Sequence, residues 1–179
     1  DVPHAEEVIS AWLQMMATNG GTAPAPAGSS DSHRLVGQER GSSRTWLHSC
    51  EKPKSSNSSD VVAALKGGCR RVATNGPFLD LRAADGGAVT ISVAAPSWMP
   101  VSSVELWGGA ANTKAPLRLA SWSIPPQKNE AETLRWASRF QPPPERELTW
   151  LVGIARGEEQ MLPWSDTTAL AVTGALPLE

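Results

Sequence analysis

The sequence predicts an α+β chain in two parts, a mixed helix and strand stretch over residues 1–74 and an antiparallel, immunoglobulin-like β-sandwich over residues 75–179. Two observations predict the sandwich. Seven short β segments follow one another from Phe78 onward, separated by Gly, Pro and polar turns, and no helix of useful length fits between them. A third observation sets the boundary: in Thr74-Asn75-Gly76-Pro77-Phe78, Asn-Gly accommodates positive φ and Pro77 cannot continue a central ladder.

The first element is a helix over Glu6–Ala17. Val8, Trp12, Met15 and Met16 recur at helical spacing, acidic residues occupy the first turn, and Asn19-Gly20-Gly21 stops the helix. The bland reading of that apolar stripe is a core face, and the alternative is a partner or ligand surface. A small, Pro-containing connector from Thr22 to Gly28 leads into a polar loop. A strand over Arg44–Ser49 comes next, followed by an exposed Ser/Lys loop over Glu51–Ser59. Ser58 or Ser59 caps a short helix over Asp60–Lys66, ended by Gly67-Gly68, and Cys69–Ala73 is strand-like.

The sandwich strands are expected at Phe78–Arg82, Ala88–Ala94, Ser103–Trp107, Leu117–Trp122, Leu134–Phe140, Leu148–Ala155 and Ala169–Val172. Alternation in Val89-Thr90-Ile91-Ser92-Val93 argues for one buried and one wet face. The chain has eight Trp against two Phe and no Tyr. Trp inside predicted strands reads as core, whereas Trp98 and Trp164 lie beside prolines in predicted turns and are the surface aromatic candidates.

Composition narrows the function classes. A net charge of -2, with 16 basic and 18 acidic residues spread along the chain, offers no footprint for nucleic acid or an anionic membrane. No run of about 18 apolar residues forms a membrane span. The start at Asp1, without Met or a signal-like stretch, suggests a processed segment or an incomplete frame. Cys50 and Cys69 either pair or remain thiols. A bridge would be worth roughly 3 kcal/mol and would imply a periplasmic or secreted protein.

Chemistry concentrates in Gly28-Ser29-Ser30-Asp31-Ser32-His33. On an extended stretch, Asp31 and His33 at i and i+2 face the same side and can converge on one cation. Two ligands do not complete a centre, because a catalytic site normally takes three protein ligands and an open position. Apart from a metal role, Asp31 and His33 read as a loop acid and a surface histidine. His48 and Cys50 share a strand face without an orienting third group.

The order Gly-Ser-Ser-Asp-Ser-His, Ser43-Arg44-Thr45-Trp46-Leu47, Val61-Val62-Ala63-Ala64-Leu65-Lys66 and Val72-Ala73-Thr74-Asn75-Gly76-Pro77-Phe78 resembles the C-terminal part of carbaryl-hydrolase-like proteins of the PHP (polymerase and histidinol phosphatase) superfamily. Ala95-Pro96-Ser97-Trp98-Met99-Pro100 is similar to the β module that follows their barrel. The resemblance implies the terminal βα portion of a distorted barrel over residues 1–74. It also implies Asp31 and His33 as metal ligands, a divalent Zn, Mn or Fe ion, and ester hydrolysis by metal-activated water. The family's His-x-His pair does not occur in this chain. The expected protein is therefore a C-terminal hydrolase fragment, inactive alone and partnered by the missing barrel segment or by a second copy. Arg44 and Asn75 are the candidate substrate contacts. The alternative is a non-catalytic β-sandwich interaction module for a protein or a carbohydrate, motivated by the tryptophans.

Overall fold

Strands carry most of the chain, and their pairing decides what the first half is. The structure is a computed structural model that describes residues 2–29, 43–48, 58–66, 70–111, 113–126, 133–162 and 165–178. In order, the elements are α1 (Val2–Thr18), β1 (Arg44–His48), α2 (Ser58–Lys66), β2 (Arg70–Thr74), β3 (Phe78–Ala83), β4 (Val89–Ala94), β5 (Ser103–Ala110), β6 (Leu117–Ser123), β7 (Leu134–Phe140), β8 (Leu148–Gln160), β9 (Thr168–Thr173) and β10 (Leu176–Pro177). One sheet runs β1-β2-β9-β8-β5-β6, with β10 pairing β8, and a smaller one runs β3-β4-β7.

The barrel expectation is overturned here. A βα-barrel portion requires neighbouring parallel strands joined by a helix. β1 and β2 instead pair antiparallel, Arg44 opposite Thr74 and His48 opposite Arg70, although α2 lies between them in sequence. β2 then pairs antiparallel with β9, Ala73 opposite Val172, so the first strands belong to the large sheet of the sandwich. The turn at residues 74–77 carries the chain from one sheet to the other.

The faces follow the period of two. Inner-face Val104, Leu106, Leu151, Ala155 and Ala171 of the large sheet pack with Leu79, Ile91 and Val93 of the small one. Full burial of each such aliphatic side chain contributes about 1.5–3 kcal/mol. At the side of the sandwich where β6 and β7 are edge strands, Trp122 stacks at a tilt on Trp136, with centroids 5.0 Å apart, and meets Phe140 edge-on at 6.3 Å. These aromatics close the gap between the sheets.

β8 is buried without interruption from Trp150 to Ala155. Both faces of a strand must be covered to give such a run. The inner face meets the small sheet, and the outer face is covered by α1. Ile9, Leu13, Met16 and Ala17 of the helix pack on Trp150, Val152, Ile154 and Val172. Of the expected stripe only Met16 is fully in this core, for Val8 is 54% and Met15 44% exposed. α1 carries two adjacent apolar stripes, and the sheet takes the one headed by Ile9. The helix also begins at Val2, which moves Glu6 out of the first turn.

The end of α1 is fixed by shape. Gly21 has φ +91° and donates its N–H to the Met16 carbonyl at 2.8 Å. A Cβ there would sit 2.6 Å from the Trp150 ring, so glycine answers both the conformation and the contact. Among the described residues, no helix is long and apolar enough to cross a membrane.

Candidate functional site

After α1 the chain turns back as a strap, Thr22 to Gly28, rich in Pro and Ala. Trp12 donates its indole N–H to the Pro24 carbonyl at 2.8 Å, tying the strap to the helix. Further along, the Gly28 N–H donates to Thr45 Oγ1 at 2.9 Å on β1. A Cβ on Gly28 would come within 2.5 Å of the Arg44 carbonyl, so this close approach admits only glycine. The outer face of β2 and β9 therefore lies between α1 and the strap.

That space is a groove of about 790 Å3. Ala73, Leu170 and Val172 form its floor. Val8, Ile9 and Trp12 form one wall, and Pro24 through Gly28 form the other. The volume lies within the range of small-molecule sites, roughly 300–1,000 Å3.

Charge gathers at one end. Arg156 donates Nε and Nη2 to the two oxygens of Glu6, at 2.8 and 2.9 Å, and Nη1 to Glu105 Oε2 at 2.6 Å. Glu105 also accepts from Trp107 Nε1 at 3.0 Å and from Arg118 Nη1 at 3.1 Å. This chain of contacts fastens the N-terminal half of α1 to β8 and β5. Burial pushes the Glu105 carboxyl up, but the hydrogen bond from Trp107 and the charges of Arg156 and Arg118 outweigh it and hold the group below its ordinary value.

Asn75 lies across β9 from Arg156, its N–H donating to the carbonyl of Leu170, the residue opposite Arg156 on β8. Its Nδ2 donates to the Thr168 carbonyl at 2.7 Å, and its Oδ1 accepts from Leu170 N–H at 2.8 Å. The side chain thus extends the ladder between β2 and β9 by one more pair of bonds. Thr74 assists, its hydroxyl lying 2.6 Å from the Pro77 carbonyl and accepting from Gly76 N–H at 2.9 Å. Asn75→Ala is expected to cost about 1–3 kcal/mol, since it leaves the Leu170 N–H and the Thr168 carbonyl without that partner. Urea unfolding of the two proteins checks it.

Of the residues singled out from sequence, Asn75, Arg44 and Trp98 are described. Asn75 lines the groove with its amide engaged by β9. Arg44 is exposed on the edge strand β1, outside the groove lining. Trp98 is 47% exposed in the loop after β4 and is also outside the lining. Asp31, His33, Trp164, Cys50 and Cys69 lie outside the described residues. Among the described residues, no three His, Cys, Asp or Glu side chains are grouped to hold a metal ion, and the divalent Zn, Mn or Fe site expected above rests on Asp31 and His33, outside them.

Sequence reasoning missed Glu6, Arg156 and the groove floor. One signal was present: Arg156 keeps the phase of Trp150, Val152 and Ile154, and Glu105 keeps that of Trp107. Charges in the phase of a buried face mark an ion pair in waiting.

No family model and no curated protein matches the chain. With the antiparallel β1–β2 pair, this overturns the PHP and hydrolase resemblance. Three solved chains are similar in structure. One is a superoxide reductase (1Fe-SOR) from Giardia intestinalis, 17% identical, with a TM-score of 0.34 over 43% of this chain and 80% of that one. Another is a hypothetical protein from Pyrococcus horikoshii OT3, 13% identical, with a TM-score of 0.33 over 59% of this chain and 89% of that one. The iron is a property of the Giardia protein, and overlaps of this size leave the groove as the feature from which function is argued.

Proposed function

We propose that this chain is a β-sandwich binding module that holds a small apolar ligand in the groove between α1, the strap and the outer face of β2 and β9. The observation that carries this reading is an apolar trough of about 790 Å3 in which the polar side chains next to the floor are already committed, Glu158 remaining exposed at the rim. Arg156 is spent on Glu6 and Glu105, Asn75 on β9, and Thr167 on Ser165 Oγ at 2.8 Å. Recognition then rests on shape and on removal of apolar surface from water.

A neutral apolar fluorophore such as N-phenyl-1-naphthylamine tests it. Wild-type protein is expected to bind the probe and show altered Trp emission, because Trp12 forms part of the wall. Ala73→Phe fills the floor and is expected to weaken binding by at least about tenfold, the equivalent of ~1.4 kcal/mol. Val8→Asp, at an exposed wall position, is expected to weaken it without touching the core. Equal binding by both variants and wild type would remove the groove from consideration, as would an equal loss in Trp98→Ala.

A further inference from the structure

We propose that the ligand of the groove is a cationic amphiphile, a single alkyl chain with an ammonium head, and that Glu158 receives the head. This rests on the groove reading above. Among the described residues, three charged side chains line the groove: Glu6, Arg156 and Glu158. Arg156 is already paired with two carboxylates, its Nε, Nη1 and Nη2 donating to Glu6 and Glu105 between 2.6 and 2.9 Å, so its one positive charge is more than offset before any ligand arrives. Glu6 is consumed by the same contact. Glu158 differs, since it is exposed at the rim and has no ion pair among the described residues. The described lining therefore presents two carboxylates against one guanidinium, and its unspent charge is negative.

The chemistry of the head follows from that imbalance. A carboxylate or phosphate head would meet Glu158 with no unpaired cation among the described lining residues to offset it, whereas an ammonium would complete an ion pair there. A sugar head would need convergent donors and acceptors, and Asn75 and Thr167 are already engaged. The wall from Ala5 to Trp12 is about 10 Å long at a helical rise of 1.5 Å per residue. A medium-length alkyl chain fits along it, over Ala73, Leu170 and Val172.

Three ligands with one chain and different heads test the assignment: decylammonium, decanol and decanoate, titrated into the full chain at neutral pH and low salt, below micelle formation. An exposed ion pair is worth at most about fivefold in affinity, and reversing the sign of the head replaces that gain by a comparable loss. Decylammonium is therefore expected to bind about tenfold or more tightly than decanoate, with decanol between them. Added salt should narrow the spread. Glu158→Gln should bring the ammonium to within about twofold of the alcohol, the fivefold pair term being gone. Decanoate binding as tightly as decylammonium, or an ammonium preference that survives Glu158→Gln, overturns the head-group assignment while leaving the groove reading intact. Failure of all three ligands to bind overturns both.

Discussion

Trp150→Ala is expected to lower the unfolding free energy by about 3–5 kcal/mol, the range for deleting a fully buried large aromatic side chain. The indole is 2% exposed and lies where α1, Gly21 and β5 meet, close against Gly21 and Gly109. Nothing nearby can collapse into the space without moving the helix. The loss should therefore be uneven: α1 keeps its ion pair at Glu6 but loses the surface under its C-terminal half. Native-state hydrogen exchange should show α1 amides losing protection before those of β5, β8 and β9, because local opening follows the least-buried unit. Urea unfolding gives the total. A cost below about 1 kcal/mol, in the range of ordinary surface substitutions, or unchanged helix protection, would show that α1 is held mainly by its polar contacts.

Strand positions were legible because the period of two survives wherever one face is wet. Val89–Ala94 alternates buried and less buried residues, and the structure has its strand there. Pairing direction was not legible. β1, α2 and β2 spell strand, helix, strand, the sequence of a parallel crossover, which agreed with the barrel portion that the motif resemblance implied. What decides the direction is a long-range event, the pairing of Val72, Ala73 and Thr74 with Thr173, Val172 and Ala171, about a hundred residues away. No local signal encodes it. The helix stripe failed for a related reason. Val8 and Ile9 differ by one residue and about 100° around the axis. The choice between them is made by the Trp150 surface, which sequence alone does not place opposite α1.

The groove was less legible than the fold. Its floor joins Ala73 to Leu170 and Val172, and its far wall is a run of Ala and Pro with no chemical motif. Conspicuous residue types drew attention elsewhere, to Asp31 and His33, which lie outside the described residues, and to Trp98, which lies outside the groove lining. Arg156 and Glu105 were the legible clue, as charges in the phase of a buried face. Their partner Glu6 was not, because it lies 150 positions from Arg156.

Arg156→Met is expected to cost about 2–3 kcal/mol at pH 7, somewhat less than breaking a fully buried pair, because Arg156 is 24% and Glu6 45% exposed. Most of the loss comes from Glu105, only 15% exposed and left with Arg118 and Trp107 as its remaining partners. The same network gives the fold a pH dependence of known sign. The native Glu105 carboxyl lies below its ordinary 4.5, so the folded state favours the ionised form. Its contribution is complete above that value and is lost as pH falls through the lower native one. Glu105→Gln should therefore be less stable than wild type at pH 7, and the gap should close on acidification. Urea midpoints from pH 7 to 3 read this directly, and two parallel curves would sink the assignment. Because the Glu6–Arg156 contact fixes the half of α1 that forms the groove wall, probe binding should be weaker in Arg156→Met than in wild type at pH 7, which links the ion pair to the shape of the site as well as to stability.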